Sequence, residues 1–116
     1  MKVLIVEDNT AMRQMIRRVI AQVAGDICEC GDGVTAYSLY SELRPDWVLM
    51  DIELGVVNGL AVTRQIKRDY PEASIIIVTS YNDAQLRDIA FQAGAYDYVL
   101  KENLHQLVKL LTKPAT

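Results

Sequence analysis

The sequence predicts an α/β protein built on a parallel sheet with helices on both faces, and three observations carry that prediction. Val3-Leu4-Ile5-Val6, Trp47-Val48-Leu49-Met50 and Ser74-Ile75-Ile76-Ile77-Val78 are short, nearly unbroken apolar runs, the pattern of strands buried on both faces. Between such runs, apolar residues recur at helical spacing. The alternation repeats five times with short loops, which calls for right-handed crossovers and an open, doubly wound sandwich. In such sheets ligands sit outside the carboxyl ends of the strands, near the point where strand order reverses.

Each element has its own signal. The first strand ends abruptly at Glu7-Asp8. Met12, Met15, Ile16, Val19, Ile20 and Val23 then mark a helix, with Asn9 as its N-cap, Gly25 as its stop and Arg13, Arg17 and Arg18 on its outer face. Asp26 to Cys30 reads as a weaker strand. Ala36, Leu39, Tyr40 and Leu43 form a helical stripe that must end before Pro45, since proline disfavours helix in the residue ahead of it. The strand at Trp47–Met50 runs into Asp51. A loop bounded by Gly55 and Gly59 follows, then a helix from Leu60 to Asp69 stopped by Pro71. The fourth strand ends at Thr79-Ser80. Leu86, Ile89, Ala90 and Ala93 mark a fourth helix closed by Gly94, Tyr96 to Leu100 a fifth strand ending at Lys101, and Leu104, Leu107, Val108 and Leu111 a fifth helix.

At 116 residues the chain has room for one domain and one sizeable core. With 51% hydrophobic residues it is too apolar for a disordered chain. No run is long enough to span a membrane and the start lacks the anatomy of a signal peptide, so a cytoplasmic protein is expected. Fifteen acids against 12 bases argue against the whole domain clamping nucleic acid. Cys28 and Cys30 lie at strand spacing. They read as two small buried hydrophobes in a reduced compartment, since a disulfide would be at its geometric edge and two thiols make half a zinc site at best.

The strand ends gather Glu7, Asp8, Asp51, Thr79 and Lys101. Two carboxylates about 4 Å apart repel by about 4 kcal/mol at an effective dielectric near 20, so the cluster needs neutralising. A hard divalent cation fits best. Magnesium accepts carboxylates, a carbonyl and waters, and keeps positions open for phosphate oxygens. A carboxylate beside it can act as a nucleophile toward phosphorus.

Val3-Leu4-Ile5-Val6-Glu7-Asp8-Asn9, Pro45-Asp46-Trp47-Val48-Leu49-Met50-Asp51, Ile75-Ile76-Ile77-Val78-Thr79 and Ala93-Gly94-Ala95-Tyr96-Asp97-Tyr98-Val99-Leu100-Lys101, in this order, resemble the receiver domain of bacterial two-component response regulators. The resemblance covers nearly the whole chain. It implies a single receiver domain over residues 1–116 and a flavodoxin-like (βα)5 sandwich with parallel strand order 2-1-3-4-5. Asp51 is then the phosphoacceptor, with Mg2+ held by Glu7, Asp8, Asp51 and the backbone carbonyl of Glu53. Thr79 and Lys101 bind phosphoryl oxygens, Thr79 and Tyr98 form the switch, and Glu53 and Tyr81 tune the lifetime of the phosphoryl group. Such a protein is not an enzyme beyond its own phosphorylation and dephosphorylation.

Several positions depart from the family pattern. Gly55 stands where proline is usual, which should loosen that loop; Asn58 replaces an acid, and Glu102 follows Lys101 where proline is common. The implied partners are a sensor histidine kinase or phosphotransfer protein, and a second copy through either the fourth-helix, fifth-strand, fifth-helix face or the first and fifth helices. That output face would carry Gln85, Arg87, Tyr96, Asp97, His105, Gln106, Lys109 and Leu110, with Leu110 either a partner anchor or an ordinary surface leucine. The arginines of the first helix suit a kinase-facing surface or a solvated face equally. Leu100-Lys101-Glu102-Asn103-Leu104 resembles the NarL/LuxR-like branch of transcription regulators. DNA would then be reached only through an effector domain that these residues cannot hold, unless the protein is a single-domain regulator. A phosphohydrolase would need a lid that the length does not allow, and a flavin carrier a phosphate loop that Glu7-Asp8 would repel. A pseudo-receiver scaffold would not need the full set of chemical groups.

Overall fold

Strands without a polar face need cover on both sides, and the computed structural model, which describes residues 1–112, provides it. The chain runs β1 (Lys2–Val6), α1 (Thr10–Ile20), β2 (Asp26–Cys30), α2 (Gly33–Leu43), β3 (Trp47–Met50), β4 (Glu53–Leu54), β5 (Val57–Asn58), α3 (Gly59–Asp69), β6 (Ile75–Thr79), α4 (Ala84–Gln92), β7 (Asp97–Leu100), a single 3-10 turn (Lys101–Asn103) and α5 (Gln106–Leu111). The main sheet is five-stranded and parallel in the order β2-β1-β3-β6-β7. Numbering only its own strands, that is the expected 2-1-3-4-5. No helix among the described residues is long and apolar enough to cross a membrane.

Period-two alternation splits the strand side chains between two cores. Leu4, Val6, Val48, Met50, Ile75 and Ile77 pack with Ala36, Tyr40, Leu60, Ile66 and Ala90 of α2, α3 and α4. Val3, Ile5, Leu49, Ile76, Val78 and Val99 pack with Ile16, Ile20, Leu107 and Leu111 of α1 and α5. Burying each such Leu or Ile contributes about 1.5–3 kcal/mol. The chain turns one way from β1 to β2 and the other way to β3, so the order reverses between β1 and β3. The carboxyl ends of those two strands carry Glu7-Asp8 and Asp51.

Four of the helices that follow strands begin on an Asn or Asp whose side chain accepts a backbone N–H of the first turn: Asn9 from Met12, Asp32 from Thr35, Asn58 from Leu60 and Asp83 from Leu86. The expected Asn9 cap is present.

Several expectations are corrected. Helix α1 ends at Ile20, well short of Gly25, and passes into a turn toward β2 in which the amides of Val23 and Ala24 both donate to the Ile20 carbonyl. Val23 reaches the core from that turn. Met15 and Ile89 are solvent-exposed rather than core. Leu104 precedes α5 yet is buried with Leu107 and Leu111. Helix α3 starts one residue earlier than expected, at Gly59. Ser74 lies outside β6, and Tyr96 lies outside β7. The stretch expected to be a loop around Gly55 is a two-stranded antiparallel hairpin, β4 with β5. Gly55 has φ +76° at the first central position of its two-residue turn, while Val56 keeps a negative φ, the pattern of a type II′ turn. Glycine supplies the positive φ that this two-residue turn uses.

Candidate functional site

The backbone of the acid cluster is fixed from several sides. The Asp51 amide donates to the Val6 carbonyl at 3.0 Å, and the Glu7 amide to the Cys30 carbonyl at 3.1 Å. Asp51 Oδ1 accepts the Ile52 amide at 2.8 Å. The Gly59 amide donates to the Ile52 carbonyl at 2.8 Å, and a Cβ at Gly59 would lie 1.8 Å from the Asp51 carbonyl oxygen, so only glycine fits there.

Glu7 and Asp51 are 1% and 5% exposed, whereas Asp8 faces solvent. Each of the three offers an oxygen within 4.8 Å of the others. Lys101 Nζ lies 2.8 Å from Glu7 Oε1 and 3.3 Å from Asp51 Oδ2. Burial, then the neighbouring Glu7 charge, push the Asp51 carboxyl up to about 6 despite Lys101. Burial pulls the Lys101 ammonium down, but Glu7 and Asp51 outweigh it and leave its pKa raised. Glu7 Oε1 is buried, and the Lys101 ammonium is its charged partner. An all-oxygen donor set of three convergent carboxylates, balanced by the single ammonium of Lys101, suits a hard divalent cation.

The remaining sequence-predicted residues lie on β4, β6 and β7 and the loop after β6. Thr79 is buried at the end of β6, next to β3, and its Oγ1 accepts the Tyr81 amide at 3.2 Å. Tyr98, on β7, is buried, and its hydroxyl donates to the Tyr81 carbonyl at 2.6 Å. Burial raises its pKa. Thr79 and Tyr98 are thus joined through the backbone of Tyr81, whose own side chain is exposed. Glu53 is exposed on β4 and lines an open cleft of about 380 Å³ together with Asp8 and the hairpin.

Residues 3–112 match the response regulator receiver domain family. The chain belongs to that family. It is 36% identical over 104 residues to protein CcdB of Bacillus subtilis, covering 86% of this chain and 84% of that one. It is 32% identical over 115 residues to the response regulator GacA of Pseudomonas aeruginosa, covering 95% of this chain but only 53% of GacA. A two-component response regulator of the LuxR family from Aurantimonas sp. SI85-9A1 superposes with a TM-score of 0.87 at 34% identity, covering 93% of this chain and 79% of that one.

This receiver also holds features that the sequence reading missed or misplaced. Arg13, expected on the outer face of α1, folds inward: its Nη1 donates to the Glu7 carbonyl at 2.7 Å and its Nε to Glu29 Oε1 at 3.0 Å. Arg17 pairs with the other oxygen of Glu29. Helical periodicity puts Arg13 on a polar face, and nothing local shows that β2 brings an acid beneath it. The requirement for glycine at 59 was likewise invisible, although a glycine just after the Asn58 cap was the available signal. On the output side, Leu110 is half-buried against the α1/α5 core and borders a groove with Arg87, Asp97, Tyr98, Gln106 and Lys109, while His105 is exposed.

Proposed function

We propose that this receiver accepts a phosphoryl group on Asp51 from a phosphohistidine of a sensor kinase or phosphotransfer protein, in a Mg2+-dependent step. The observation that carries the proposal is the convergence of Glu7, Asp8 and Asp51 within 4.8 Å, with Lys101 paired to two of them. An Asp51 carboxylate oxygen forms the new bond to phosphorus as the phosphorus–nitrogen bond breaks. The electron pair stays on the imidazole nitrogen, and the product is an acyl phosphate. Glu7, Asp8, Asp51 and the Glu53 carbonyl would hold the magnesium, which would supply positive charge against the phosphoryl oxygens. Lys101 pairs with another of those oxygens. The Thr79 hydroxyl already accepts the Tyr81 amide, so its own proton is free to be donated to a third.

Tyr98 reads this event. The phosphoryl group draws on Thr79, the Tyr81 backbone joins Thr79 to the Tyr98 hydroxyl, and the buried ring is held in place. The α4–β7–α5 face is biased by that packing. Glu53 and Tyr81, both exposed beside the site, set the approach of water and the phosphoryl lifetime. Outside its own phosphorylation and dephosphorylation the receiver is not an enzyme, and it works in the cytoplasm as a single domain spanning residues 1–116, of which 113–116 lie outside the described residues. The likeness to a LuxR-family regulator and to GacA, of which the chain spans about half, supports a transcriptional output delivered by a DNA-binding part outside this domain. Self-association runs through α4–β7–α5 or through α1 and α5.

Incubation with magnesium and acetyl phosphate, read by intact-mass spectrometry, tests the proposal. The expected result is the mass gain of one phosphoryl group, lost with EDTA and absent in Asp51→Asn. An unmodified wild type, or a modified Asp51→Asn, would sink it.

A further inference from the structure

We infer that Arg13 is a positioning residue for the acid pair: anchored by Glu29, it fixes the Glu7–Asp8 peptide by donating to the Glu7 carbonyl. The inference deepens the magnesium reading proposed above and rests on it. Glu7 sits one residue past the last paired residue of β1, Val6, which is in register with both Cys30 and Met50. Its amide still reaches the Cys30 carbonyl, but its own carbonyl has run off the end of the ladder. Arg13 Nη1 takes that carbonyl at 2.7 Å, the length of a charge-assisted bond.

The guanidinium is held at both ends. Its Nε bonds Glu29 Oε1, Glu29 Oε2 carries Arg17, and the Arg13 amide closes the first turn of α1 on the Asn9 carbonyl. The Arg13 side chain is only 21% exposed and passes over Gly31, where a Cβ would lie 3.5 Å from Nη1 and 3.8 Å from the Glu7 carbonyl oxygen. The Glu7 side chain is held separately, Oε2 accepting the amide of Asn9, which belongs to the next peptide unit, at 3.1 Å. Glu7 and Asp8 are consecutive, so the orientation of the peptide between them decides whether both carboxylates converge on Asp51. Arg13 is the side chain that sets it. Groups standing behind metal ligands in this way change metal affinity about 10- to 100-fold when removed.

The charge of Arg13 allows a sharp test, because charge alone predicts the opposite sign. Removing a cation beside an acid cluster should tighten magnesium binding, whereas removing the donor that orients Glu7–Asp8 should weaken it. Magnesium alone is titrated by calorimetry and by amide NMR shifts, well below the melting midpoint of each protein, in wild type, Arg13→Met, Arg13→Lys and Arg17→Met. The expected outcome is a dissociation constant about tenfold higher for Arg13→Met. Arg13→Lys, which keeps a donor and the charge, should recover most of the loss. Arg17→Met, which removes a charge from the same Glu29 without touching the Glu7 carbonyl, should stay close to wild type. Should Arg13→Met fail to fold, Arg13→Gln, neutral and too short to hold both partners, takes its place with the same threshold. Equal or tighter binding in the neutral Arg13 variant overturns the inference, and so does an equal loss in Arg17→Met. A wild type that gives no magnesium response instead removes the metal reading itself, an outcome distinct from either.

Discussion

Replacing Asp51 by Asn isolates the electrostatics of the site while nearly preserving its shape, since the Asn oxygen can still accept the Ile52 amide that Oδ1 accepts at 2.8 Å. In the metal-free protein the Asp51 carboxyl is pushed from 3.8 to about 6, by burial first and by Glu7 second. Folded protein therefore holds that proton more tightly than the unfolded chain does. Between those two pH values the folded state binds more protons, so this group's contribution to stability falls as pH rises through the window and stays low above it. At about 1.4 kcal/mol per pH unit the full effect is about 3 kcal/mol. Water reaching the cluster past exposed Asp8 screens part of it, leaving about 1–2 kcal/mol. Asp51→Asn should thus be more stable than wild type by about that amount at pH 7.5 in EDTA, a rise of about 5–10 °C in melting midpoint. The advantage should shrink toward zero near pH 4, where Asp51 is protonated. Saturating magnesium should reverse the order, because binding at a hundred times the dissociation constant adds about 2.7 kcal/mol to the protein that keeps the ligand. Urea and thermal denaturation followed by circular dichroism at both pH values, with EDTA or magnesium, measure all of this. A variant less stable than wild type at pH 7.5 in EDTA, or a difference independent of pH, would refute the electrostatic account.

Gly59→Ala places a carbon 1.8 Å from the Asp51 carbonyl oxygen, so the start of α3 or the Asp51 backbone must shift. The expected cost is about 1–3 kcal/mol in urea denaturation, with slower phosphorylation by acetyl phosphate; a variant with wild-type stability and rate would show that the close approach is not limiting. Cys30 is free and buried, and burial pushes its thiol up to about 11, while free Cys28 is half-buried. Iodoacetamide at pH 8 should label Cys28 slowly and spare Cys30 in the native protein, then label both in urea, as read by peptide mass spectrometry. Equal native labelling of the two would contradict the burial of Cys30.

The chemical groups and their placement at strand ends were legible along the chain for a local reason. Val3–Val6 has no polar face, so it must be a doubly covered strand, and the acid that breaks it must stand at its end. The same reasoning placed Asp51, Thr79 and Lys101. Errors gathered where local pattern and tertiary contact part company. Met15 and Ile89 fit a helical stripe yet face solvent, and Leu104 lies outside a helix yet is buried.

What the sequence by itself determined is the alternation of elements, the two-sided burial of the sheet and the identity of the groups at its carboxyl edge. These follow from periodicity and from residues that terminate elements, both properties of neighbours in the chain. Only the tertiary structure decided that Arg13 turns from the outer face of α1 onto the Glu7 carbonyl, that Glu29 anchors it, and that Gly59 lies against Asp51. Those contacts join residues on different elements, and which elements meet depends on crossovers and register that no local window contains.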